Sequence, residues 1–381
     1  GFLQIESESD EEQMLLISYG EHLADGVVRR RIGNRDFSVE VGVCKGKTVY
    51  MNPFRRLGCK FIEVKSQFPL KKLQVSLVPT MYPVEEKERP LLTEAQNEIY
   101  EACVRTLRLC MHEHYEDCPW REQSFYNMDS RNQMLCGYKV FEGTQFQREN
   151  LILFSQGLMD DGLLSLCFPM DIHMEIHYPI PVYSLVFPLQ VLDYVNHTKD
   201  RSILPEVKDC ITTIMQTFIN KVESNNLIPD FKAGYWNFYD WSPYLDGELH
   251  GTEDAIPDLM INVLFILALQ NLREIALKIG QSFAYGDLLE ESKKRTNEAF
   301  YNADMGLYSM TVGGNEYTVL GNALAILAEL ELDKEYVCEK IVNGELSDCS
   351  LSMKIFKYEA LLATDKEKYQ EWVLNEIRRE Y

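Results

Sequence analysis

Positive charge is scarce in this chain of 381 residues: 38 lysines and arginines stand against 59 aspartates and glutamates, for a formal net charge of −21. A surface of that sign repels nucleic-acid phosphates and anionic membranes, so neither is expected as a partner, while a neutral, hydrated polar partner stays open. The ten cysteines include no Cys-x-x-Cys pair. Cys103 and Cys210 fall at apolar helical positions, where a reduced cysteine acts as a small hydrophobe, and this scatter points to a reducing, cytoplasmic compartment. The opening "GFLQIESESDEEQ" has no basic stretch followed by a continuous apolar one, so no signal peptide is expected. Gly1 in place of Met suggests a missing true start, and the sequon at Asn196 carries little weight without a secretory signal. The most apolar run, "LMINVLFILALQNL" from Leu259, contains Asn262 and Gln270 and is shorter than the roughly 20 residues of a membrane span, which makes it a helix buried on most sides. Ser-His-Asp arrangements and P-loops are absent too.

A hydrophobic content of 46% marks a folded globular protein, long enough for two or three units. Up to about Pro90 the pattern is that of strands. "VVRRRIGNRDFSVEVGV" and "CKFIEVK" are rich in β-branched residues, Leu73, Val75 and Leu77 alternate with polar neighbours, and Asp25-Gly26 and Gly33-Asn34 supply turns. Residues 1–82 are expected to form a small β-sandwich or part of one, and 83–92, within the acidic, proline-bounded "YPVEEKERP", a linker. The triple Arg29-Arg30-Arg31 reads as a solvated strand edge. From Leu91 the period turns helical, opening on the capping box Thr93-x-x-Gln96, with Ile99, Cys103 and Leu107 on one face. About eleven helices follow over 93–381, among them Val207-Ile211-Ile214-Phe218, Leu320–Leu330 and Met353–Leu362. No short signature recurs, which argues against a solenoid and for a closed ring of helical hairpins with buried inner helices. The last helix, "KYQEWVLNEIRREY", has no capping glycine, and the expectation is a chain cut short.

The loop between the first helices, "YEDCPWREQSFYNMDSRNQ" from Tyr115, concentrates charge. Pro119 keeps helix away until about Asp129. The loop is either a surface segment whose acids cap helices, Asp129 above all, or a site in which carboxylates beside an arginine and aromatics have their pKa values pushed apart. "GYWNFYDWSPY", Gly234 to Tyr244, is too polar and interrupted for a buried helix, so its two Trp and three Tyr are expected to face a ligand, as platforms for the apolar faces of sugars. His173-x-Glu175-x-His177 could present metal ligands on a strand face, but it is not a His-Glu-x-x-His, and a loop bordering the cleft is the preferred reading. No metal or cofactor is expected. Gly313-Gly314-Asn315 reads as a turn.

"DCPWRE" followed by Asp129 resembles the catalytic-loop signature of the bacterial α-L-rhamnosidases of glycoside hydrolase family 78, in which Asp-Cys-Pro-x-Arg-acid leads to Gly-Trp-Thr-Gly-Asp. The resemblance extends to the β segment ending in "PFRRLGCKFIEV", to "HYPIPVYSLVFPLQVLDYVNHTKD" and to Asp240-Trp241. It implies a mainly α fold, an (α/α)6 barrel of six-hairpin glycosidase type over 93–381, incomplete and preceded by the β-sandwich segment. It also implies inverting hydrolysis of terminal α-L-rhamnosides or a related sugar in carbohydrate metabolism. Glu122 would be the general acid; Asp117, Arg121, Tyr126, Asp129, His177, Trp236, Asp240 and Trp241 would bind the sugar. An oxocarbenium-like transition state needs one protonated carboxyl, one carboxylate and fixed hydrogen bonds, and these residue types can provide them. The chain departs from the pattern at Phe125-Tyr126-Asn127-Met128, which replaces Gly-Trp-Thr-Gly, and in lacking the glutamate-bearing segment of the family's general base before Tyr381. The alternative is therefore a catalytically impaired, rhamnosidase-like glycan-binding protein or fragment. A homodimer is compatible with the sequence.

Overall fold

Alternating side chains need two faces, and the first part of the chain provides them. A computed structural model describes residues 1–169, 179–225, 227–232, 234–247 and 257–381. The chain divides into two compact units, Gly1–Val84 with Cys103–Ser124, and Glu85–Ala102 with Phe125–Tyr381. The division groups residues 103–124, and with them the charged loop, with the strands.

The strands of the first unit are β1 (Phe2–Ser9), β2 (Gln13–Gly20), β3 (Leu23–Ala24), β4 (Val27–Val28), β5 (Arg31–Ile32), β6 (Arg35–Asp36), β7 (Ser38–Val43), β8 (Gly46–Arg56), β9 (Phe61–Ser66) and β10 (Leu70–Val78). They form two antiparallel three-stranded sheets, β10-β1-β8 and β7-β2-β9, and two short hairpins, β3-β4 and β5-β6. The period of two along each strand sends Leu3 and Ile5 of β1, Leu15, Ile17 and Tyr19 of β2, and Val41 and Val43 of β7 into one apolar cluster with Phe37 and Leu57. Asp25, Gly26 and Gly33 take positive φ values of 52°, 79° and 58°, the geometry that lets such short hairpins turn. Trp120, from the charged loop, completes the cluster at 6% exposure, its ring 4.8 Å from that of Phe37.

The helices are α1 (Glu94–Leu109), which crosses the division between the units, then α2 (Asn127–Val140), α3 (Gln145–Ser155), α4 (Pro181–Thr198), α5 (Leu204–Ile219), α6 (Leu259–Lys278), α7 (Gly286–Phe300), α8 (Val319–Leu327), α9 (Lys334–Val342), α10 (Lys354–Thr364) and α11 (Lys366–Glu380). The expected capping box starts α1: the Thr93 N–H donates to Gln96 Oε1 at 3.0 Å, and the Gln96 N–H to Thr93 Oγ1 at 3.4 Å. Within the second unit α2 packs on α4, α4 on α6, α6 on α8 and α8 on α10, while α3, α5, α7, α9 and α11 pack outside this series. Burial follows that division of labour. Helices α4 and α8 are buried almost all round, whereas α5 buries only the stripe of Leu204, Val207, Cys210, Ile211, Ile214, Met215 and Phe218.

One expectation about length and one about burial change. The Leu259 helix runs to 20 residues, enough by length and composition to cross a membrane, yet it is mostly buried inside its own unit. Cys103 is exposed, because α1 turns Val104 and Leu107 inward instead. Cys110, Cys210 and Cys349 do behave as small hydrophobes, and burial pushes each thiol up to about 12.

A buried acidic group lies before α6. Asp258 caps the helix, its Oδ1 accepting the Ile261 N–H at 2.9 Å, and its Oδ2 accepts the Tyr239 hydroxyl. Burial first, and the charge of Asp258 second, push the carboxyl of Asp230 up to about 10. The sign follows directly. An acid whose folded pKa exceeds its unfolded one is protonated when folded and ionised when unfolded at neutral pH, so stability falls as pH rises above the unfolded value of 3.8. Asp230→Asn, which keeps the neutral form, is expected to raise the denaturation midpoint at neutral pH and to flatten its decline with pH. Urea melts at a series of pH values check this, and equal slopes for variant and wild type would contradict it.

Candidate active site

The charged loop is built by its own backbone. The Asp117 N–H donates to Ser124 O and the Ser124 N–H to Asp117 Oδ1, both at 2.9 Å, closing a turn around Cys118–Gln123. Gln123 takes φ 54°, and its side-chain amide donates to Pro119 O at 2.8 Å. Gly58 lets the chain pass close beneath: a Cβ there would stand 1.7 Å from Pro119 O. Below, the Arg56 guanidinium pairs with the fully buried carboxylate of Glu116, with Nη1 to Oε2 at 3.1 Å.

This scaffold brings Asp117, Arg121 and Glu122 together. Arg121 Nη2 lies 3.1 Å from Glu122 Oε1, and the Glu122 side chain is 17% exposed. Burial first, and the charge of Glu122 in addition, hold the Asp117 carboxyl above its usual range.

In the second unit, a small recess of about 70 Å³ is lined by Met128, Asp129 and Asn132 of α2, Tyr183 of α4, Phe238, Asp240 and Trp241 of the aromatic segment, and Ser352 and Met353. Asp129 sits in the first turn of α2, where the helix dipole favours a carboxylate. It does not cap the helix, since the N-cap residue is Tyr126, whose side chain makes no capping bond. Tyr126 is also not among the residues that line the recess. Asp240 is almost completely buried. Its Oδ2 accepts the Ser350 N–H and the Ser242 hydroxyl, both at 2.7 Å, and its Oδ1 accepts the Ser350 hydroxyl. The carboxylate thus ties the aromatic segment to residues 350–353. Asn132 Nδ2 adds a bond to Ser352 O at 2.7 Å.

Trp241 is 71% exposed, and Trp236 stands behind it. Trp236 packs on Trp241 at 5.5 Å and on Phe238 at 4.6 Å, and its Nε1–H donates to Asp246 O. The tyrosines of the segment divide. Tyr244 is exposed, Tyr235 donates to Asp161 Oδ2 at 3.0 Å, and Tyr239 is buried against Asp258 rather than facing a ligand. His177 and the rest of His173-x-Glu175-x-His177 lie outside the described residues. Asn132, Tyr183, Phe238, Ser352 and Met353 went unanticipated, because nothing in their neighbours along the chain distinguishes them from packing residues. Burial first, then the charges of Asp129 and Asp240, push the Tyr183 phenol well above its usual value, which keeps it a hydroxyl donor. Carboxylates, an amide and a phenol beside two aromatic rings suit a ligand with hydroxyls on its edge and an apolar face.

The family model described as the bacterial alpha-L-rhamnosidase six-hairpin glycosidase domain matches residues 93–345. The chain belongs to this family. No curated protein matches it. Among solved structures, the GH78 family rhamnosidase of Bacillus sp. GL1 is 21% identical, with a TM-score of 0.84 over 100% of this chain and 40% of that one. A rhamnosidase from Klebsiella oxytoca with rhamnose bound is 17% identical, with a TM-score of 0.73 over 97% of this chain and 75% of that one. The rhamnosidase-family chain therefore spans 40% of the length of the Bacillus enzyme. At these identities the structural likeness speaks for the fold.

Proposed function

We propose that the protein is a glycoside hydrolase that inverts terminal α-L-rhamnosides or a closely related deoxysugar glycoside. The family match over residues 93–345 carries the reading. In it Glu122 protonates the leaving glycosidic oxygen, and Asp117, Arg121 and Asp129 hold the sugar hydroxyls. Trp241 supplies an apolar wall backed by Trp236, and Asp240 acts through the loop at Ser350 as well as on the ligand. Tyr126 and His177 complete the proposed sugar-binding set. Inversion requires a second carboxylate about 6.5–9.5 Å from the acid to activate water, and no residue of this chain is assigned that role.

The two facing sheets of the first unit support reading it as the β-sandwich segment that precedes an (α/α)6 barrel. The alternation of inner and outer helices in the second unit supports the barrel. Deeply buried, unpaired thiols such as Cys110 and Cys210 support a reducing, cytoplasmic location.

The test is hydrolysis of a panel of aryl α-L- and β-D-glycosides by the full-length protein, with product anomers followed by NMR. Turnover confined to α-L-rhamnosides with initial release of the β anomer is expected. A folded protein inactive on every α-L-sugar overturns the reading. Phe125 and Met128, which replace two glycines of the family signature, favour a second reading as a non-hydrolysing glycan-binding protein. Saturable binding of L-rhamnose without turnover would establish it.

A further inference from the structure

Arg35, at the start of β6, reaches the charged loop from 86 residues away in the chain. Its Nη1 donates to the carbonyl oxygen of Arg121 at 2.6 Å and lies 3.8 Å from Glu122 Oε1. One guanidinium thus holds both the backbone just before Glu122 and its carboxylate. Several features aim it there. Successive residues of a strand point to opposite sides, so Arg35 and Asp36 diverge. Asp36 is already engaged by Arg31 Nε at 2.8 Å and by the Ser38 hydroxyl at 2.8 Å, with Arg30 at 3.5 Å. Those bonds, Arg31 first and Ser38 second, hold the Asp36 carboxyl below its usual range, so Arg35 is not drawn back to its neighbour. Two residues after Arg35, Phe37 is buried against Trp120, which itself lies two residues before Glu122. The hairpin and the loop are therefore locked in register by an apolar contact, with the charged contact beside it.

We propose that Arg35 is a positioning residue for Glu122: from the β5-β6 hairpin it fixes the carboxyl in the orientation needed to protonate the glycosidic oxygen. On this view the hairpin of the first unit is part of the catalytic apparatus rather than an appendage. The inference rests on Glu122 being the general acid.

Leaving-group dependence separates this role from a merely structural one. Proton donation matters for a poor leaving group and hardly at all for an activated one. The full-length protein is assayed on phenyl and on 2,4-dinitrophenyl α-L-rhamnoside. Arg35→Ala is expected to lower kcat on the phenyl substrate by about tenfold or more, with kcat on the dinitrophenyl substrate nearly unchanged. Arg35→Lys, which keeps the charge but replaces the planar guanidinium by a rotatable ammonium, should fall between wild type and Arg35→Ala. Lys71→Ala, which removes only the exposed partner of Asp10 in the same unit, should leave both rates near wild type. Equal losses on the two substrates for both Arg35 variants, or no loss on either, overturn the proposal while the glycosidase reading stands. Wild-type protein inactive on both substrates removes the glycosidase reading and the proposal with it. Thermal melts of each variant distinguish a shifted leaving-group profile from partial unfolding, because unfolding lowers both rates alike.

Discussion

Glu122→Gln is expected to slow hydrolysis of phenyl α-L-rhamnoside by about 10²–10⁴-fold. An amide has no acidic proton at neutral pH, so the leaving phenoxide departs unprotonated. The geometry around the side chain should survive, because the amide oxygen still accepts from Arg121, whose Nη2 lies 3.1 Å from Glu122 Oε1. Binding of free L-rhamnose, measured by calorimetric titration, should therefore stay close to wild type, and turnover of the dinitrophenyl glycoside should fall much less. Unchanged turnover of the phenyl substrate would remove Glu122 as the acid. The loop contains an obvious second candidate in Asp117, whose carboxyl is held high by burial. Asp117→Asn then becomes the informative comparison. Its Oδ1 also accepts the Ser124 N–H, so a loss there would combine proton donation with the shape of the turn.

Glu376→Gln is expected to destabilise the second unit by roughly 3–5 kcal/mol, the usual cost of breaking a buried ion pair from one side. Glu376 on α11 and Lys354 and Lys357 on α10 are each about 3% exposed. Glu376 Oε1 lies 3.2 Å from Lys354 Nζ and 2.8 Å from Lys357 Nζ. Removing its charge leaves two buried ammonium groups with the half-exposed Asp348, at 3.3 Å from each, as their principal anion. Lys357 also lies over the Trp372 ring at 5.1 Å, so it is not free to swing out. Burial lowers the pKa of Lys354, but Asp348 and Glu376 outweigh it and leave the group above its ordinary 10.5. The contribution of Lys354 is therefore complete below 10.5 and is lost only as pH rises through the higher folded value. Urea melts at neutral pH measure the difference. A midpoint unchanged from wild type would show that the pair contributes little. Replacing Lys354, Lys357 and Glu376 together by Met, Met and Leu should recover most of the loss, since no buried charge then lacks a partner.

Features whose partners lie a few residues apart could be read from the sequence. The capping box at Thr93 and Gln96, the turns at Asp25-Gly26 and Gly33, the buried stripe of α5 and the burial of the Leu259 helix all follow from side-chain period and short-range hydrogen bonds. The Asp117–Asp129 signature was legible for the same reason, because its meaning lies in the spacing of adjacent residues. Its bland interpretation was not: only the structure shows that Asp129 stands in the first turn of α2 without capping it.

Other assignments depended on contacts that no local pattern encodes. Cys103 and Leu107 look equivalent on a helical wheel, yet one is exposed and the other buried, because the neighbouring elements decide which face of α1 is covered. Tyr239, Trp236 and Trp241 share one aromatic segment. Their different fates come from Asp258, which accepts the Tyr239 hydroxyl, and from Phe238, on which both tryptophans pack. The sequence by itself determined the element types, the family and the charged loop, since each rests on short-range spacing and side-chain chemistry. Tertiary structure alone decided that Trp120 enters the core between the sheets, that Asp240 ties the aromatic segment to Ser350, and that Arg35 lies beside Glu122. Those contacts join residues far apart in the chain, and their geometry exists only once the hydrophobic clusters have fixed which surfaces meet.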